Sequence, residues 1–99
     1  MIDLSSIAGF QLDAGNGRKS ADKHGVSQSE AEQVFFNEPL LFVEDPRHSA
    51  LEPRFHALGK TDDARLLLIV FTLRMGGTFI RVISARDMNR RERDYYDRA

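Results

Sequence analysis

Arg65-Leu66-Leu67-Leu68-Ile69-Val70-Phe71-Thr72-Leu73-Arg74 is the stretch from which the fold follows. The run from Leu66 to Phe71 is apolar without a break, which a strand requires only when both of its faces are covered. It is far too short to cross a bilayer, so it marks the centre of a sheet. Upstream, Thr61-Asp62-Asp63-Ala64 predicts a hairpin turn, and Pro53 to Lys60 the strand before it. In that strand Arg54, His56, Leu58 and Lys60 share one face, and Phe55 and Ala57 the other, which lays a polar, partly cationic row on one side of the sheet. Downstream, Met75-Gly76-Gly77 predicts the next turn, with two glycines open to positive φ, and Thr78 to Ala85 the following strand.

The flanking segments supply helices. Ser27-Gln28-Ser29-Glu30 is a capping box, Val26 can staple onto Ala31, and Ala31, Val34 and Phe35 form one buried stripe. Glu30 and Glu32 are expected to be solvated. Asn37-Glu38-Pro39 ends this helix, because the residue before proline avoids the α region. Leu40 to Glu44 then reads as a short strand and residues 45–49 as a turn or exposed loop. Earlier, Asn16 is a candidate N-cap for a helix over Arg18 to His24, with Gly25 at its C′ position. Phe10 to Asp13 alternates apolar and polar, which suggests a short strand or an extended entry segment, and residues 1–9 are expected to be loosely ordered. At the C-terminal end, Ile80 to Tyr96 runs from a β-branched strand into an arginine-dense helix. Asp87 or Ser84 is the expected cap, and Met88, Tyr95 and Ala99 give a narrow apolar stripe. The pattern predicts a single α+β domain over residues 1–99, with two N-terminal helices on one face of a twisted, mostly antiparallel sheet of about four strands and a closing C-terminal helix.

Composition narrows the chemistry. The absence of cysteine excludes a disulfide framework, a thiolate metal site and a cysteine nucleophile. The N-terminus lacks the basic and apolar regions of a signal peptide, so the expected location is cytoplasmic, with no membrane partner. The net charge of −1 hides an asymmetry. Residues 1–45 hold three basic and eight acidic side chains, and residues 46–99 hold eleven basic and seven acidic. Eleven of the fourteen basic residues are arginine, whose planar fork matches phosphate geometry, so the second half is the half that can meet a polyanion.

His24, His48 and His56 lie at spacings of no common metal motif, and neither a phosphate-binding glycine loop nor a nucleophile elbow is present. The remaining histidine, arginine, glutamate and tyrosine residues suit metal-free cleavage of RNA, in which the substrate's 2′-hydroxyl attacks the neighbouring phosphate. That reaction needs proton transfer at two oxygens and neutralisation of charge at the phosphoryl group. Each candidate also has a plain structural reading: His24 at a helix C-terminus, His48 in a loop, His56 on a strand face, and Arg54 and Arg81 in surface ion pairs. In a regular strand Arg81 shares a face with Ile83 and Ala85, so Arg86 points the other way. The two arginines reach one site only if the strand ends or bulges before Arg86.

Several segments in order resemble the BrnT toxin family: Lys23-His24-Gly25-Val26, Glu30-Ala31, Val34-Phe35, Asp45-Pro46-Arg47-His48-Ser49, Glu52, Arg54-Phe55 and Leu58-Gly59. Arg65-Leu66-Leu67, Arg81-Val82-Ile83-Ser84-Ala85-Arg86 and Arg91-Glu92-Arg93 with Tyr95 or Tyr96 continue the pattern, and the resemblance spans Phe10 to Tyr96. It implies a RelE-like fold and a ribonuclease toxin of a type II toxin-antitoxin system that acts without metal or cofactor. It also implies a hetero-oligomer with a BrnA-like ribbon-helix-helix antitoxin, and contact with operator DNA only through that antitoxin. On the matching motifs it places His24, Arg54, Arg81, Arg86 and Glu92 as catalytic candidates. Lys23, Arg47, His48, Arg90, Arg91 and Tyr95 are the RNA-binding candidates. Two positions depart from the family pattern: Leu12 where members carry tryptophan, and Ser20 where they carry asparagine. They motivate the alternative of a catalytically degenerate homologue that holds the antitoxin and tunes repression.

Overall fold

The strand at the centre of the molecule is β4, Leu66–Arg74. The structure is a computed structural model that describes residues 6–11, 25–44 and 53–99. Within them the chain runs β1 (Gly9–Phe10), α1 (Gln28–Val34), β2 (Leu41–Glu44), β3 (Phe55–Lys60), β4, β5 (Phe79–Asp87) and α2 (Arg90–Asp97). The strands form one sheet in the order β1-β5-β4-β3-β2, which puts β4 in the middle as its apolar run requires. The expected helix over residues 18–24 and the loop over residues 45–49 lie outside the described residues.

The architecture is α+β with a mixed sheet, and it differs from expectation in strand number. Five strands are described rather than about four, because β1 adds in parallel to β5, held by Ala8 N–H to the Thr78 carbonyl at 2.6 Å and Gln11 N–H to the Ile80 carbonyl at 2.8 Å. The other three pairings are antiparallel. The two turns follow the sequence closely. Ala64 takes a positive φ of 65° at the end of the β3–β4 hairpin. The β4–β5 turn has three successive positive φ values, at Met75, Gly76 and Gly77.

Helix α1 starts where the capping box puts it. Ser27 Oγ accepts from the Glu30 amide, and a Glu30 carboxylate oxygen accepts from the Ser27 amide, both at 3.1 Å. It lays Ala31 and Val34, with Phe35 just beyond, against one sheet face, where Ala57, Leu67, Ile69, Phe71, Ile80, Val82 and Ala85 complete the main core. The contact is close enough that a Cβ on Gly59 of β3 would lie 2.7 Å from Val34 Cγ1, so glycine there is set by packing. Beyond the helix, Asn37 Nδ2 donates to the Gln33 and Lys60 carbonyls and to Asp62 Oδ1, tying the end of α1 to the β3–β4 hairpin.

Helix α2 crosses the opposite face, where Met88 and Tyr96 cover Leu58 and Leu68. Its apolar stripe is not the expected one: Tyr96 is buried and donates its hydroxyl to the Pro39 carbonyl at 2.6 Å, while Tyr95 is 56 % exposed. The cap also differs. Asn89, not Asp87 or Ser84, closes the capping box with Glu92, because β5 continues to Asp87 and consumes both expected caps as strand residues.

Candidate functional site

The geometry of the site depends on a register shift in the β4–β5 ladder. Val70 lies opposite Ser84, but the next residue, Phe71, lies opposite Val82, so Ile83 is an extra residue in β5. Residues opposite one another in an antiparallel pair share a face. Ile80, Val82 and Ala85 therefore all enter the main core, whereas Arg81, opposite Thr72, and Arg86, opposite Leu68, both point to the α2 side. Regular alternation would have grouped Arg81 with Ile83 and Ala85. The bulge overturns that grouping and meets the condition under which the two arginines share a face.

On the same face lie His56, opposite Val70, and Leu58, opposite Leu68. Helix α2 covers only the Leu58–Leu68 end, and beside it a cleft of about 390 Å³ opens. The sheet gives its floor, where His56 lies beside the aliphatic Val43, Leu58 and Leu68, and Arg91, Glu92 and Tyr95 of α2 give its wall and rim.

Glu92 is the hinge of this arrangement. Its two carboxylate oxygens accept from the two terminal nitrogens of Arg86 at 2.7 and 2.8 Å, a bidentate pair, and one of them also accepts from the Asn89 amide at 2.9 Å. The Arg86 hydrogen bonds hold the Glu92 carboxyl below the usual carboxylate range; burial pushes the other way, while the Asn89 amide, the Arg86 charge and nearby His56 add to the lowering. Arg86 is correspondingly held charged.

The adjacent residue, Asp87, serves the opposite face. Arg65 grips both Asp87 oxygens, at 2.8 and 3.0 Å, and also donates to Glu30 at 3.0 Å and to the Gly25 carbonyl at 2.9 Å. Glu30, expected to be simply solvated, is thus tied to the residue just before β4, and its carboxyl is lowered first by the Ser27 amide and then by Arg65. Each helix therefore has a capping-box glutamate that also pairs with an arginine, Arg65 just before β4 for α1 and Arg86 of β5 for α2.

Both glutamates have depressed pKa values, so the stability they contribute is complete above the ordinary value of 4.5 and is lost as pH falls through the lowered values. After solvent screening each pair is worth about 1 kcal/mol. Urea unfolding followed between pH 6 and pH 3 (roughly, the range over which such carboxyls titrate) is expected to show a decline that is shallower in Glu30→Gln/Glu92→Gln. An unchanged decline in the double variant would show that other carboxylates control acid unfolding.

The sequence-derived candidates separate into three groups. Lys23, His24, Arg47 and His48, like Leu12 and Ser20, lie outside the described residues. Arg86, Arg91, Glu92 and Tyr95 come together at the α2 face, while Arg81 lies on the same sheet face but farther along the β4–β5 ladder, opposite Thr72, and Arg54 is one residue before β3. Arg90 starts α2 and is exposed, but it does not line the cleft. His56, outside the catalytic and RNA-binding candidates, also lines the cleft. The alternation that placed it beside Arg54 and Lys60 was the available signal, but its neighbour Glu92 is distant in sequence. Among the described residues, no three His, Cys, Asp or Glu side chains are grouped to hold a metal ion, and no helix is long and apolar enough to cross a membrane.

Two arginines and a histidine on one sheet face, with a helix glutamate paired to one of the arginines, make a constellation whose chemistry suits an anionic ligand. The family model for the ribonuclease toxin BrnT of type II toxin-antitoxin systems matches residues 13–92, and the chain belongs to that family. As a toxin of this class it has RNA as its target and an antitoxin as its partner. Among solved structures, the crystal structure of the Brucella abortus ribonuclease toxin BrnT is similar, with 18% identity and a TM-score of 0.60 over 83% of this chain and 97% of that one. At that identity the likeness carries the fold. No curated protein matches the chain.

Proposed function

We propose that this toxin is a metal-independent endoribonuclease that cleaves RNA by attack of a 2′-hydroxyl on the adjacent phosphate. The observation that carries the reading is the bulge at Ile83, which puts Arg81 and Arg86 on the sheet face that also carries His56, with Glu92 paired to Arg86. Arg81 and Arg86 bind the scissile phosphate and stabilise the charge that grows on its oxygens, with Arg54 as a further phosphate contact. The phosphate takes over the fork of Arg86 and so releases the Glu92 carboxylate, whose basicity rises as it loses its partner. Glu92 then accepts the proton of the 2′-hydroxyl, the oxygen bonds to phosphorus, and the bond to the 5′-oxygen breaks. His56 or His24 delivers the proton to that leaving oxygen. Lys23, Arg47, His48, Arg90, Arg91 and Tyr95 hold the flanking RNA. The partner is a BrnA-like ribbon-helix-helix antitoxin, through which alone the complex meets operator DNA, and the site of action is the cytoplasm.

One observation favours a second reading, a degenerate toxin that serves as an antitoxin-binding and co-repressor module. The fork of Arg86 is already filled by Glu92, as it would be in a site that never opens. Incubation of the purified chain with RNA in chelator separates the two. Fragments ending in a 2′,3′-cyclic phosphate and starting with a 5′-hydroxyl are expected. Intact RNA beside a toxin that cuts it would support the module, and 3′-hydroxyl ends would refute the mechanism.

A further inference from the structure

The cleft beside α2 has features that phosphate binding does not use. Its floor is mostly aliphatic, from Val43, Leu58 and Leu68, and Tyr95 stands at its edge with more than half of its surface exposed. A large aromatic ring left in solvent above aliphatic side chains offers a flat apolar slot. Its polar groups are few: His56 on the sheet between Val43 and Val70, and, on the α2 side, Arg91 and Glu92 with Arg86 behind it. At about 390 Å³ it lies near the small end of the roughly 300–1,000 Å³ typical of small-ligand sites, which suits one nucleotide unit rather than a folded surface.

We infer that this cleft is a nucleobase-binding subsite that takes the base of a nucleotide next to the phosphate gripped by Arg86. The inference rests on the ribonuclease reading and adds to it the place where the enzyme holds a base. The chemistry is complementary on both counts. A base presents two apolar faces, which Tyr95 and the Val43–Leu58–Leu68 floor can stack against, and a polar edge, which His56 can meet with a ring nitrogen, leaving the proton transfer to the leaving oxygen to His24. The attached phosphate carries the negative charge, and the cations stand on the side of the cleft where β5 and α2 meet. An apolar peptide side chain would fill the floor but leave this cationic margin without a counterpart.

The test uses the full chain in chelator and follows backbone amide resonances as each of the four nucleoside 3′-monophosphates is added, with inorganic phosphate as control. The nucleotides are expected to shift the amides of Val43, Leu58, Leu68 and Tyr95, whereas phosphate alone shifts those around Arg86 and leaves the floor unmoved. Tyr95→Ala is expected to weaken nucleotide binding about tenfold and Tyr95→Phe to restore it, because the ring rather than the hydroxyl does the stacking. Tyr95 is exposed, so both variants keep the fold. If nucleotides shift the floor no more than phosphate does, the subsite is refuted, and cleavage of RNA by the same sample shows that the ribonuclease reading survives. Floor shifts in a chain that does not cut RNA uphold the subsite and refute the enzyme. Floor shifts that arise only on adding the antitoxin refute it in favour of a protein-docking cleft.

Discussion

Arg86→Ala is expected to reduce the single-turnover rate of RNA cleavage in chelator by about 100-fold or more, the scale seen when a preorganised donor to transition-state charge is removed. Arg86 offers two parallel N–H groups, and the structure displays that fork in use on the Glu92 carboxylate, which has the planar two-oxygen geometry that a phosphate edge also presents. Arg86→Lys keeps the charge and loses the fork, so it is expected to recover only part of the rate. The stability cost is modest by comparison. The Arg86 and Glu92 side chains are 37% and 21% exposed, and screening limits such a pair to about 1 kcal/mol, so the variant stays folded by circular dichroism while its rate collapses. Cleavage by folded Arg86→Ala at the parent rate would remove Arg86 from the mechanism.

Phe71→Ala is expected to be among the most damaging truncations to stability, at about 3–5 kcal/mol in urea unfolding at neutral pH. Phe71 is fully buried at the middle of the central strand. Its ring meets Phe35 edge-on at 5.2 Å, Phe55 at 5.6 Å and Phe42 at 5.9 Å, so the helix side of the core converges on it from α1, β3 and β2. These partners sit on three different elements, and the cavity cannot collapse without moving one of them. Against a total of about 5–15 kcal/mol for a domain of this size, the loss removes a large fraction of the folding free energy. Phe71→Leu retains most of the volume and is expected to cost far less. A shift below about 1 kcal/mol for the alanine variant would mean that the aromatic cluster is not the centre of the core.

Local signals were readable wherever the chain's own periodicity decides structure. The apolar run at Leu66–Phe71 required a covered strand and became the middle of the sheet. Ser27 and Glu30 closed the predicted capping box, and the Met75-Gly76-Gly77 turn took the positive φ that its glycines allow. The errors came from competition between elements. Asp87 has the chemistry of a helix cap, yet Arg65 draws it into the sheet, and Asn89 caps α2 instead. Tyr95 and Tyr96 are indistinguishable by composition; the hydrogen bond from the Tyr96 hydroxyl to the Pro39 carbonyl selects which one is buried.

By itself, the sequence determined the centre of the sheet, the alternating faces of β3 and the start of α1, because each is set by spacing within one segment, whereas α1 ends at Val34, ahead of the Asn37-Glu38-Pro39 stop. The tertiary structure alone decided that Arg81 and Arg86 share a face. An odd separation along a strand puts two side chains on opposite faces, and only the pairing of β5 against β4, with Ile83 left over, reverses that rule. It also decided that His56 and Glu92 border one cleft, since a strand and a helix far apart in the chain meet only when the apolar faces of both are buried together.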